Sequence, residues 1–169
     1  MRVLILPGYS EKNKDWAEAA SKFVDGSEVF YWSHWEGKGD FSVDGEVERL
    51  VEQLKSEKEV YVLAKSVGTL VAVRLAYETG GAVKKMVLCG IPTEDLSEGR
   101  GDFDAYRRVL PDYSKEDCLI IQNKDDYHGS HASVEKFVHE INPGLSVISK
   151  DRDDHDYPFY EEFREFLVS

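Results

Sequence analysis

Cysteine is scarce in this chain, with two residues, Cys89 and Cys118, among 169. Two thiols make no disulfide framework. Each lies in or beside an apolar run, so both are expected to be buried and reduced, which suits a cytoplasmic location. Long hydrophobic runs are missing as well: no stretch approaches the roughly 20 apolar residues of a membrane span. The opening MRVLILPGYS has one arginine and a short apolar run before Pro7 and Gly8. It is too short for a signal-peptide core, lacks a small-residue cleavage site, and reads as a first strand. Positive charge is in deficit, 21 Lys and Arg against 33 Asp and Glu, for a net charge of -12. That balance argues against nucleic-acid and membrane partners and disfavours highly anionic substrates. A glycine-rich phosphate loop is also absent. The first strand ends in a single glycine, neither G-x-G-x-x-G nor a Walker sequence, which counts against a flavodoxin-like binding domain.

What is present is globular. The composition is 41% apolar and 12% aromatic, and a chain of this length buries roughly 70% of its unfolded surface around one core. No internal repeat, linker or composition shift marks a boundary, so residues 1–169 are expected to form one domain. Short apolar runs occur at Val3–Leu6, Glu28–Trp32, Val60–Ala64, Met86–Cys89, Cys118–Ile121 and Leu145–Ile148. Most are rich in β-branched residues and apolar on both faces, the pattern of strands in a covered parallel sheet.

Segments of helical period lie between them. Trp16, Ala19, Ala20 and Phe23 form one stripe, with Asn13 as its expected cap. Val47, Leu50, Val51 and Leu54 form a second. Leu70–Tyr77 is nearly all apolar and stops at Gly80-Gly81. Val134, Phe137, Val138 and Ile141 repeat the spacing, and Phe159 to Leu167 close the chain behind Pro158. A weaker helix covers Asp102–Leu110, and Ile91–Gly101 is the least regular stretch, a candidate mobile loop. Strand and helix alternating in this way predict a parallel sheet with helices on both faces, joined by right-handed crossovers.

The most informative segment is VYVLAKSVGTLVAVRLAY, residues 60–77. An apolar strand runs into Ala64-Lys65-Ser66-Val67-Gly68 and a helix follows at once. A serine on so sharp a strand-to-helix turn takes a strained backbone, and residues two positions away must be small to avoid collision. Ala64 and Gly68 meet that need. The turn would expose the Ser66 hydroxyl above the sheet and aim the Val67 N–H at a developing oxyanion. The competing reading is a serine that caps an ordinary helix.

These residues resemble the nucleophile elbow of the α/β-hydrolase superfamily, and the resemblance extends from Val3 to Leu167. The chain is most similar to small cap-less serine hydrolases of the retinoblastoma-binding-protein-like type. The resemblance implies a three-layer αβα sandwich with a six-stranded, mostly parallel sheet in the order 2-1-3-4-5-6. It also implies a triad in the chain order serine, acid, histidine. The acid should follow Cys118–Ile121, where the chain reads Gln122-Asn123-Lys124-Asp125-Asp126. The family's usual form has the aspartate three residues beyond a glycine that Gln122 replaces here, which picks Asp125, with Asp126 as the alternative. The base should follow the last strand, where His155 is the one histidine, set among aspartates that should favour its protonated form. A second oxyanion donor is assigned to the Tyr9 amide in Leu6-Pro7-Gly8-Tyr9-Ser10, where many members carry His-Gly and this chain carries Pro-Gly.

The implied activity is that of a serine hydrolase cleaving a small ester or thioester through an acyl-enzyme, with no cofactor. The alternatives are peptidase or amidase action and an interaction protein on the same scaffold. Other features are weaker. Lys65 beside Ser66 suggests a Ser-Lys dyad but reads as a solvated lysine, since neighbours on an elbow diverge. Tyr31-Trp32-Ser33-His34-Trp35 could flank an acyl pocket or pack under the first helix. His128 and His131 have metal-pair spacing without a convincing third ligand, so they read as surface histidines. Asp151–Glu162 is no calcium loop, because Asp156 stands where glycine is needed and Pro158 interrupts it.

Overall fold

A computed structural model describes residues 2–169. Six strands, β1 (Val3–Leu6), β2 (Ser27–Val29), β3 (Val60–Lys65), β4 (Val83–Cys89), β5 (Cys118–Asn123) and β6 (Val147–Lys150), form one sheet. Their order is β2-β1-β3-β4-β5-β6 and every pairing is parallel. The order reverses at β1 and β3, the position at which open α/β sheets bind ligands beyond the strands' carboxyl ends.

Strands β1, β3, β4 and β5 bury both faces, which is why their apolar runs are continuous, whereas the edge strands β2 and β6 are partly exposed. Along β1, Leu4 and Leu6 point into one core and Val3 and Ile5 into the other. The first core packs under α2 (Val43–Leu54), α3 (Val67–Glu78), α4 (Asp102–Val109) and α5 (His131–Ile141), through residues such as Leu50, Leu75, Tyr106 and Val134. The second packs under α1 (Asn13–Phe23) and α6 (Tyr160–Val168), through Trp16, Ala20, Phe163 and Leu167. Both cysteines are buried and free, and burial pushes each thiol well above its ordinary range. Among the described residues no helix is long and apolar enough to cross a membrane.

Local expectations differ from the structure in a few places. The second strand spans Ser27–Val29 rather than Glu28–Trp32, and Ser33–Glu36 forms a 3-10 turn closed by Gly37 at φ 71°. Asn13 is not a helix cap. Lys12 holds that position without a side-chain bond, while Asn13 Nδ2 donates to Ser10 O at 2.9 Å and its Oδ1 accepts from Lys65 Nζ at 2.8 Å. The cap of α2 is Ser42, whose hydroxyl accepts from the Gly45 N–H at 3.2 Å.

Candidate active site

Ser66 stands between β3 and α3 with φ 55° and ψ -126°, the one non-glycine at positive φ among the described residues. Such a conformation costs on the order of 1–3 kcal/mol and persists only where its surroundings hold it. The holding groups are identifiable. Ser66 N–H donates to Cys89 O at 3.0 Å, and Ser66 O accepts from Thr69 N at 2.8 Å and Thr69 Oγ1 at 2.6 Å. Tyr106 OH, fully buried, meets the same Thr69 hydroxyl at 2.7 Å. Gly68 lets the turn close: a Cβ there would lie 2.2 Å from Leu6 O and 2.7 Å from Pro7 O, both backbone. The Ser66 hydroxyl makes no capping bond to α3, so the serine is not spent as a helix cap.

Behind the elbow, His155 Nδ1 lies 2.6 Å from Asp126 Oδ2. An ionised carboxylate only accepts, so the proton sits on Nδ1, and the neutral ring's lone pair is on Nε2. That Nε2 is buried and has no hydrogen-bond partner. Asp126 accepts twice more, from Tyr157 OH at 2.6 Å and from the His128 N–H at 2.9 Å. Burial pushes the Asp126 carboxyl up, but the bonds from His155, Tyr157 and His128 together hold it below the usual carboxylate range. Burial and the Asp126 bond drive the Tyr157 phenol far up, so it stays a donor.

The carboxylate on His155 is therefore Asp126 and not Asp125. Lys124 N–H still bonds Lys150 O, and Asp125 N–H bonds Arg152 O. Backbone bonds to the 150–152 segment thus continue past the end of β5 at Asn123, and the Asp125 side chain is exposed. The chain turns at Lys124-Asp125, where Asp126 N–H donates to Asn123 O at 3.4 Å, and again beyond Asp126, whose O accepts from Gly129 N at 3.1 Å; between the two turns the Asp126 carboxylate is buried.

Ser66 and His155 both abut the end of β4. A Cβ on Gly90, at φ 65°, would come within 2.7 Å of Tyr157 Cε2 and 3.1 Å of His155 Cε1. No hydrogen bond joins Ser66 to the His155 ring. The His128 ring packs on His155, with centroids 4.3 Å apart, and its Nδ1 pairs with Asp95 Oδ2 at 2.5 Å. His131 turns away, donating Nε2–H to Val147 O at 2.8 Å, so the two histidines form no pair. Among the described residues no group of three or more His, Cys, Asp or Glu is arranged to hold a metal ion.

Lys65 is buried rather than solvated, but it serves the opposite face. Its Nζ bonds Asn13 Oδ1 and lies 5.5 Å above the Trp16 ring. Burial lowers its ammonium below the usual lysine range, only partly offset by nearby Asp156 and Asp126.

A cavity of about 800 Å³ opens over the elbow, lined by Tyr9, Ser66, Val67 and His128 at one end. It follows α3 past Leu70 to Arg74, between the start of α2 and the 92–102 segment. The residues the sequence pointed to less clearly, Asp126, His128 and Tyr157, are tied together by turns after β5 and β6. Asp126 stood as the alternative acid, and His128 stood out only by its spacing to His131.

No protein-family model matches the sequence, and no curated protein is similar to it in sequence. The backbone is nevertheless similar to several solved structures. An α/β serine hydrolase homologue from Coxiella burnetii aligns with a TM-score of 0.73 at 19% identity, over 99% of this chain and 83% of the other. A lid-less α/β serine hydrolase from Xanthomonas campestris aligns at 0.67 and 14% identity, over 99% and 76%. The esterase Est1E from Butyrivibrio proteoclasticus aligns at 0.66 and 13% identity, over 98% and 86%. At such identities the likeness is one of fold.

Proposed function

Because the chain has the α/β-hydrolase fold, without a cap domain, we propose that it is a serine hydrolase acting by acyl transfer through Ser66, His155 and Asp126. The observation that carries the reading is the Ser66 backbone, which is held in a strained conformation at a cavity mouth with its hydroxyl uncommitted. Strain of this kind is costly and concentrates at working sites.

In the reaction, His155 Nε2 takes the proton of Ser66 as Oγ attacks an ester or thioester carbonyl. The tetrahedral oxyanion accepts from the Val67 and Tyr9 amides, and Asp126 steadies the imidazolium. The C–O or C–S bond then breaks, and the protonated His155 gives its proton to the leaving alcohol or thiol. Water repeats the cycle on the acyl-enzyme. Contact between His155 and Ser66 forms with substrate in place, as catalytic hydrogen bonds commonly tighten in the Michaelis complex. Phe41, Val43, Leu70 and Leu96 give the cavity apolar walls suited to a small or extended acyl chain.

A fluorophosphonate probe should label the wild type and leave Ser66→Ala unlabelled. On a panel of p-nitrophenyl esters of varied chain length, Ser66→Ala and His155→Ala should each lose turnover by orders of magnitude, since the groups act as a unit. Hydrolysis that persists undiminished in both variants would overturn the mechanism.

A further inference from the structure

The loop after β1 is gripped by side chains that the reaction above does not use. Trp32, fully buried, donates its Nε1–H to Gly8 O at 3.0 Å. One residue on, Tyr9 O accepts from Trp35 Nε1 at 2.8 Å and from His34 Nε2 at 2.9 Å. A carbonyl oxygen only accepts, so His34 carries its proton on Nε2.

All three donors sit on the 3-10 turn at Ser33–Glu36 or on the residue before it, and that turn is itself anchored. Buried Glu46 of α2 accepts from the Ser33 N–H at 2.8 Å through Oε1 and pairs with Arg49 through Oε2. Arg49 also bonds Ser33 Oγ at 2.7 Å. The rings interlock as well. Tyr9 stacks on His34 with centroids 4.7 Å apart, and Phe41 packs edge-on against Trp32 at 5.5 Å.

A trans peptide is planar, with its C=O and N–H pointing in opposite directions. The described residues contain no cis bond. Fixing Gly8 O on the Trp32 indole therefore fixes the Tyr9 N–H on the far side of the same plane. That N–H makes no hydrogen bond among the described residues, and Tyr9 lines the cavity together with Ser66 and Val67. Were the peptide to rotate, it would present a carbonyl to the cavity where a donor is needed.

We propose that Trp32 is a positioning residue that locks the Gly8–Tyr9 peptide with its N–H toward the oxyanion, and that His34 and Trp35 hold the following peptide in the same way. The inference rests on the acyl-transfer reading and adds how the second donor is kept in place before substrate arrives. Donors aimed in advance need no reorganisation as charge develops, so the gain falls on the transition state and not on substrate binding.

Trp32→Phe keeps an aromatic ring at this buried position and removes the N–H together with part of the indole. With a p-nitrophenyl ester its kcat should fall about ten- to hundredfold, with KM within about twofold of wild type. The rate of fluorophosphonate labelling should fall in parallel. Replacement of Trp32 by 3-benzothienylalanine, which exchanges the indole N–H for sulfur at nearly constant shape, should give the same loss and covers the case in which the phenylalanine variant folds poorly. A wild-type kcat in either folded variant, or a loss confined to KM, overturns this inference alone. A wild type that neither labels at Ser66 nor hydrolyses any ester overturns the acyl-transfer reading and this inference with it.

Discussion

Asp126 gathers three hydrogen bonds in a buried position, and each has a different consequence. The His155 bond sets the imidazole tautomer, the Tyr157 bond consumes a buried hydroxyl, and the His128 N–H bond stiffens the turn. Asp126→Asn should therefore lower kcat by about 10³–10⁴, the scale seen when a triad acid loses its charge. Asp125→Asn, at an exposed position, should stay within about threefold of wild type, because a solvated carboxylate with no partner at the site contributes little. Steady-state kinetics of the two variants side by side decide between the acids.

The same carboxyl gives a pH prediction. Its pKa in the folded chain is held below the ordinary value, so the unfolded chain binds its proton first as the pH falls. The stabilisation is complete above the ordinary carboxylate range, near pH 4, and is lost as pH drops through the lower folded value. The melting temperature of the wild type should decline more steeply below about pH 4 than that of Asp126→Asn. Parallel declines would show that this carboxylate is not the linked group.

At the scale of elements, the strand-to-helix junction depends on absent atoms. Gly68→Ala would drive a Cβ to 2.2 Å from the backbone oxygen of Leu6. No side chain can rotate to relieve that contact, so α3 must move off β1. A loss of more than about 2 kcal/mol is expected by urea titration, at the upper range for overpacking. Gly90→Ala differs in kind. Its backbone at φ 65° strains any side chain, and the added Cβ presses on Tyr157 and His155 rather than on backbone. Both rings can shift, so activity should fall far more than stability: at least a hundredfold in kcat/KM, about 2.7 kcal/mol, against about 1 kcal/mol.

Across the whole molecule, one sheet separates two cores. Leu50 lies in the core under α2 to α5, and Phe163 in the core under α1 and α6; both are fully buried. Leu50→Ala should cost about 2–5 kcal/mol and Phe163→Ala about 3–5 kcal/mol. If the chain is one domain, each change should shift a single unfolding transition when followed by tryptophan fluorescence and by circular dichroism, with the two probes coincident. Two separated transitions in either variant would mean that the faces fold apart.

The element sequence was readable from the chain because it is local chemistry. Apolar runs buried on both faces are the strands β1, β3, β4 and β5, and the 3.6-residue stripes between strands are helices; even Val3–Leu6 keeps its expected bounds. The serine turn was readable for the same reason, since the need for small neighbours at 64 and 68 arises within five residues. The strand order also came out as the resemblance implied.

Tertiary structure decided what depends on where the chain points after an element ends. Asp125 and Asp126 differ by one residue, and only the pairing of Lys124 and Asp125 with the 150–152 segment shows which carboxylate turns inward. Lys65 beside Ser66 is apolar-packed on the opposite face, where Asn13 and Trp16 wait for it. The Trp32–His34–Trp35 cluster read either as packing or as a pocket wall, yet its polar edges meet carbonyls some 25 residues earlier in the chain. A hydrogen bond across that separation leaves no period in a sequence. It exists only once β1 and β2 lie side by side.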